Sequence, residues 1–242
     1  MGPGSIGGIM NDSAAPDRRL AGRTSARLSA VLGMVLILAY ALGALIQRHF
    51  SLGNTPDDLK VIGLDWIVVL VLAILGFGFQ HRDAGFFGLR VPRWRDFLIL
   101  IAWFVVTGML VVGLSAIPPI HRALLALPNQ HVANVPFVLR LGLVLTVAIC
   151  EEVIFRGYLI EQIRAWTGSI GIGAWMSLIL FTLPHAWYYG FTWALVIPAL
   201  IGGSLILLYV LRRNLPICML MHAMVDGYFL LLVPALAGLH GG

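Results

Sequence analysis

Charge is what this sequence has least of. Asp, Glu, Lys and Arg make up 11% of its 242 residues, where a soluble domain carries about 25%. A water-facing surface of ordinary composition is thereby excluded. Lysine is nearly missing, since Lys60 is alone among sixteen basic residues. The formal charge of +5 does not indicate nucleic acid, because the arginines stand in short clusters between apolar runs. That pattern sets the orientation of a membrane protein. Cysteine is equally sparse: Cys150 and Cys218 both lie in apolar segments, so no disulfide framework is indicated. The H-E-x-x-H zinc signature is absent as well.

What the chain does have is apolar length. Hydrophobic residues make up 60% of it, so the bilayer is its solvent and one compact membrane domain is expected. Residues 1–27 are rich in Gly, Ser and Ala, show no apolar period, and read as a disordered cytoplasmic tail. Residues 28–242 read as a transmembrane helical domain. Its first run, Leu28–Ile46, follows Arg23 and Arg27 and exceeds the roughly 7–15 residues of a signal-peptide core. An uncleaved first span is expected. Further runs at about 61–80, 97–117, 136–162, 170–188, 191–211 and 215–236 approach the roughly 17–25 residues of a spanning helix. The expectation is all-α: a polytopic bundle of about seven spans. With the N-terminus cytoplasmic, twelve Arg or Lys residues fall inside and four outside, which favours that orientation.

Two stretches read as packing or anchoring. Trp187, Tyr188, Tyr189 and Trp193 surround a tight hairpin and suit an aromatic belt at headgroup level. Ala199 and Gly203 form a small-xxx-small pair that lets another helix approach.

The polar residues inside the spans need a stronger reason. A charged side chain at a helix centre costs roughly 2.5–3.5 kcal/mol on insertion scales, so such groups face the bundle interior. Glu152 and Arg156 in "ICEEVIFRGYLI" are i,i+4 and can neutralise each other as a helix brace. Glu151 points about 100° away and has no such partner. His185 follows Pro184 in "FTLPHAW", where the proline frees a backbone carbonyl. His222 and Asp226 in "HAMVDG" share one helix face. Counted at about 1.5 Å per residue, these groups lie on the order of 10–22 Å below the cytoplasmic helix ends. Three helices thus offer acids and imidazoles in one slab of membrane, which suits a water or metal site.

The three motifs resemble the CPBP family, the CAAX prenyl protease 2 and bacteriocin-processing (Abi) intramembrane peptidases. That family shows E-E-x-x-x-R, F-x-x-x-H and H-x-x-x-N or D in order. Here these read Glu151-Glu152 to Arg156, Phe181 to His185, and His222 to Asp226. The stretches "FRGYL", "LRRNLPICMLMH" and "FGLRVPRW" also resemble it, so the resemblance covers about residues 86–236. It implies a membrane-embedded endopeptidase acting on a peptide or protein substrate in or at the membrane. It implies that Glu151 and His185 activate water, and that His222 and Asp226 stabilise the oxyanion or hold a metal.

From the groups themselves, a glutamate in a low-dielectric cavity is a strong base for water, and His222 can donate to the oxyanion. Two histidines with carboxylates are also a zinc donor set, so a divalent metal stays open, with metal-independent chemistry favoured. Cys218, at i−4 from His222, reads as inert filler. Two other classes remain: a proton-coupled transporter, against which no inverted repeat or paired broken helices is found, and a non-catalytic immunity or scaffold protein.

Overall fold

The computed structural model describes residues 14–46, 57–127 and 135–233; the side chains of 14–23, 44–46, 57, 58 and 187 also lie outside what it describes. Every regular element among the described residues is helical. In order they are α1 (Ala14–Ile46), α2 (Asp57–Ala73), α3 (Trp94–Ser115), α4 (Pro118–Leu125), α5 (Phe137–Glu151), α6 (Glu161–Thr167), α7 (Ile170–Tyr189), α8 (Val196–Arg212) and α9 (Leu215–Gly227). Wide π-helical turns extend α2 over Ile74–Phe79, α5 over Glu152–Ile160 and α9 over Tyr228–Leu232.

Each of the expected apolar runs falls on one of these rods. Five rods are long and apolar enough to cross a bilayer: Thr24–Gly43, Leu59–Phe79, Trp94–Ser115, Trp193–Arg212 and Leu215–Leu232. The expected count of about seven falls to five by this measure, for physical reasons. The rod through α5 and α6 carries Arg140, Glu151, Glu152, Arg156 and Glu161, and the apolar part of α7, Ile170–Ala186, is short. The α5 extension is buried from Ile154 to Ile160, whereas α7 leaves Ile172, Trp175 and Ile179 exposed on one face. The chain is a multi-pass helical membrane protein.

The disorder expected over 1–27 does not hold for 14–27. Residues 14–27 are already part of α1, because Ala14, Ala15, Leu20, Ala21 and Ala26 are good helix formers that prolong the apolar span outward. Residues 1–13 lie outside the described residues.

Lipid-facing surface is plain on α3, where Leu98, Ile101, Val105, Met109 and Val112 follow a helical period and are all exposed. Side chains as apolar as this, left open, are matched by hydrocarbon. The opposite side of α3 is clasped to α8 by polar contacts. Trp103 Nε1 donates to Ser204 Oγ at 2.8 Å, and the Thr107 and Ser204 hydroxyls are 2.6 Å apart. Interhelical hydrogen bonds of this kind join helices where the hydrophobic effect offers no drive.

Two buried clusters fill the interior. One gathers Ile37, Leu72, Phe87, Phe155, Tyr158 and Phe181 from α1, α2 and α7 around one face of the α5 extension. The other gathers Leu100, Ile160, Leu205, Tyr209, Leu215 and Met221 from α3, α8 and α9 around the other face. The Glu152–Ile160 segment lies at the seam between them, with every residue from Ile154 to Ile160 buried.

The loop before α3 is tied to the start of α9. Gly88 O accepts from Leu215 N at 2.8 Å. Gly88 has φ +76°, and a Cβ there would stand 2.8 Å from Tyr209 Oη, so only glycine fits. Asn214 caps α9 by accepting from Ile217 N at 3.3 Å, with Pro216 in the first turn. Nearby, Glu161 is fully buried. It accepts from Tyr209 Oη at 2.8 Å, Arg213 Nη2 at 2.6 Å and Arg164 Nε at 2.9 Å. These bonds fix the α8–α9 turn against α6, and so fix the height at which His222 enters the bundle.

Candidate active site

The site grows from the point where α5 changes character. Glu151 closes the regular α-helix and Glu152 opens the π-helical segment. Wide turns of this type are frequent at functional sites. As neighbours on one helix, the two glutamates point to different sides.

Glu152 faces inward and is fully buried, as is Arg156. Arg156 Nη1 lies 2.9 Å from Glu152 Oε1, the expected i,i+4 pair. The pair reaches beyond its own helix, however. His222 Nδ1 on α9 lies 2.9 Å from the same Glu152 Oε1. An ionised carboxylate can only accept, so Nδ1–H donates. Asp226 Oδ2, on the same helix face as His222, stands 3.5 Å from Nε2, a longer contact than the one from Glu152. Glu152 holds the His222 ring through Nδ1, and Asp226 flanks Nε2.

Arg156 completes a second cross-link. Its Nη2 donates to Gly202 O on α8 at 3.2 Å, and its guanidinium lies 4.3 Å from the Phe181 ring centroid. A charge buried this deeply needs such satisfaction. Phe181 in turn packs edge-on to Phe155, with centroids 5.7 Å apart. It also lies 4.9 Å from the His185 ring and 5.9 Å from the His222 ring. One aromatic ring therefore touches all three motifs.

His185 is held by its own helix. Its Nδ1 is 2.9 Å from Phe181 O, and a carbonyl only accepts, so Nδ1 carries the proton. In the neutral ring Nε2 then keeps its lone pair. The proline at 184 interrupts the backbone ladder beside it.

Glu151 is partly buried, and its Oε2 finds no hydrogen-bond partner within the protein. His222, Asp65, Asp226 and Arg156 all lie within charge–charge reach of it. Glu151 therefore stands beside the cross-braced cluster without being part of its bonds.

Three residues at this site, and one contact, were not legible in the sequence. Gly202 is one: a Cβ there would come within 2.6 Å of Phe181 Cδ1. The close approach expected at Ala199 and Gly203 is thus centred one residue away, while the space at Gly203 is ordinary. Phe181 belongs to the motif, but its contact with Arg156 was not foreseen. Asp65 on α2 and Tyr40 on α1, joined by a 2.8 Å hydrogen bond, come from spans that looked merely hydrophobic.

The aromatic belt is corrected in part. Trp193 is exposed, as an anchor should be. Tyr189 instead turns inward, its ring 6.4 Å from that of His185 and 4.9 Å from that of Tyr188. The helix turn that carries His185 brings Tyr189 to the same face.

Among the described residues no three His, Cys, Asp or Glu side chains are grouped as metal ligands. Both His222 nitrogens already face carboxyl oxygens, and His185 Nδ1 is spent on a carbonyl. The side chains as placed do not make up a zinc set, and no step below is routed through a metal. Cys218 is fully buried, and its Sγ lies 3.9 Å from Leu205 O, as inert filler does.

The segment that carries the glutamate pair, His185 and the His222–Asp226 pair, through α5, α7 and α9, has a match. Residues 133–228 match the Rce1-like family of type II CAAX prenyl endopeptidases. The matched segment contains all three motifs, spans less than half of the chain, and bears out the resemblance read from them. Neither the curated proteins nor the solved structures contain a match to the chain. The matched segment takes in α5 through α9, while Asp65 and Tyr40 lie outside it.

Proposed function

We propose that this protein is an intramembrane endopeptidase that hydrolyses a peptide bond of a membrane-associated substrate, a prenylated protein or a leader peptide, by glutamate chemistry. The observation that carries the reading is the 2.9 Å contact from His222 Nδ1 to Glu152 Oε1. It draws the first and third motifs together across helices, and Phe181 adds the second.

Peptide hydrolysis needs a base for water, a donor for the tetrahedral oxygen and an acid for the leaving amine. Glu151 takes the proton from water while His185, through its bare Nε2, helps hold that water. The oxygen left behind adds to the scissile carbonyl. His222, protonated on both nitrogens, donates Nε2–H to the oxyanion, and Asp226 beside that nitrogen stabilises the charged ring. Glu151 then returns the proton it took to the departing amine nitrogen, and the peptide bond breaks. Glu152 and Arg156 do no proton transfer; they hold His222 and the Phe181 ring in place. The matched family supports the reaction class, and the cross-braced geometry supports this division of roles.

The excess of arginine in segments on one side supports a cytoplasmic N-terminus, in the plasma or inner membrane. The test of function is a comparison of membrane proteomes from cells carrying the wild-type chain or Glu151→Ala. New peptide termini that depend on Glu151 are expected. Identical termini in both would overturn the reading, and substrate uptake by proteoliposomes without proteolysis would replace it with transport.

A further inference from the structure

Helix α2 carries a carboxyl group that the proposed reaction does not use. Asp65 sits in "LDWIVVL", a lipid-spanning stretch, yet only 1% of it is exposed. Burying an acid there is costly unless something meets it. Tyr40 Oη donates to Asp65 Oδ1 at 2.8 Å, while Asp65 Oδ2 has no hydrogen-bond partner within the protein.

The neighbours of this pair all lead to Glu151. Trp66, the next residue, donates from Nε1 to Thr146 Oγ1 at 3.2 Å, which locks the register of α2 against α5 just before Glu151. The Tyr40 ring lies 6.3 Å from the Phe155 ring, one turn beyond Glu151. Asp65 is thus bracketed from both sides onto the stretch of α5 that bears Glu151, and the two acids lie within charge–charge reach. Each retains one buried oxygen without a partner, Asp65 Oδ2 and Glu151 Oε2.

We propose that Asp65, held by Tyr40, is a positioning residue for Glu151, the two carboxyl groups sharing one proton between Asp65 Oδ2 and Glu151 Oε2, directly or through one water. Two carboxylates facing each other in a low-dielectric site cannot both ionise, and one proton between them removes the conflict. Because Tyr40 already donates to Oδ1, the shared proton has its place on Oδ2. That proton stays with the pair throughout the cycle. It fixes the orientation of Glu151, leaves Oε1 to accept the proton from water, and leaves the same oxygen to return it to the amine.

The kinetic consequence rests on the endopeptidase reading; the proton itself does not. The full chain in lipid bilayers is compared with Asp65→Leu, Asp65→Asn and Tyr40→Phe. Asp65→Leu is expected to lower kcat about tenfold or more with KM unchanged, since a supporting shell sets the geometry of a catalytic group. Asp65→Asn, whose amide can still donate to Glu151, is expected to restore most of that loss, and Tyr40→Phe to fall between. A folded Asp65→Leu variant with wild-type kcat, or one changed in KM alone, overturns the proposal. Infrared spectroscopy provides an arm that needs no substrate and does not depend on Asp65→Leu folding. The wild type should show a protonated-carboxyl component that Asp65→Asn removes, and a spectrum unchanged by Asp65→Asn overturns the proposal. If Glu151→Gln keeps full turnover, the endopeptidase mechanism itself fails, and the infrared result still decides where the proton resides.

Discussion

His222 Nδ1 on α9 and Arg156 Nη1 on the α5 extension both lie 2.9 Å from one oxygen, Glu152 Oε1. A single buried carboxylate thus neutralises a guanidinium and orients an imidazole on another helix. Ion pairs of this kind contribute little net stability when intact, because desolvation offsets attraction. Their removal is another matter.

Truncating one partner leaves the other charge stranded. Arg156→Ala and Glu152→Ala should each lower unfolding free energy by about 3–5 kcal/mol. Thermal unfolding in detergent measures this. Because Glu152 also holds His222, its loss should remove turnover even where the helices remain folded. A Glu152→Ala variant with unchanged unfolding temperature and turnover would show that the brace is idle.

Gly202 permits α8 to press against Phe181. Alanine in place of a mid-helix glycine ordinarily adds about 0.5–1 kcal/mol of stability. Here its Cβ would meet a fully buried ring at 2.6 Å, and overpacking of this kind costs about 1–3 kcal/mol. The clash should win, so Gly202→Ala is expected to lower both the unfolding temperature and kcat. A rise in unfolding temperature would mean the ring moves aside freely.

Cys218 is one turn from His222 but fully buried, its Sγ 3.9 Å from a backbone carbonyl. Cys218→Ser should therefore retain turnover within a few-fold, with the thiol playing no nucleophilic part. A loss on the order of 100-fold or more in a folded Cys218→Ser variant would turn attention to a cysteine–histidine mechanism.

Chelation separates the metal-independent chemistry proposed here from the metal-dependent version that the motifs alone left open. Turnover should persist after exhaustive treatment with a chelator and should not rise when zinc is added back. Activity abolished by chelation and restored by zinc would put a metal where this account puts Glu151 and water.

The sequence made the first part of this site legible because charge in an apolar chain stands out. Glu151, Glu152, Arg156, His185, His222 and Asp226 needed explanation wherever they folded. The i,i+4 rule foretold the Glu152–Arg156 contact, since that depends on one helix alone. The same rule put Asp226 on the face of His222, where it lies 3.5 Å from Nε2, but the closer carboxylate comes from another helix. Which faces meet is decided by packing between segments, and Gly202 shows why that is hard to read. One missing methyl group there sets how near α8 comes to Phe181, one residue from the small pair that stood out. Asp65 and Tyr40 remained hidden because a lone acid in an apolar run has no local partner to reveal it. The onset of α1 at Ala14 was missed because a tail rich in small residues gives no period, although alanine favours helix.

The central claim is that Glu151 moves the proton of water. Its direct test is turnover by purified Glu151→Gln in lipid bilayers on a peptide identified by the proteome comparison, with unfolding temperature measured alongside. Loss of kcat by about 10²–10⁴-fold with an unchanged unfolding temperature is predicted. Turnover within a few-fold of wild type from a folded Glu151→Gln protein would contradict it.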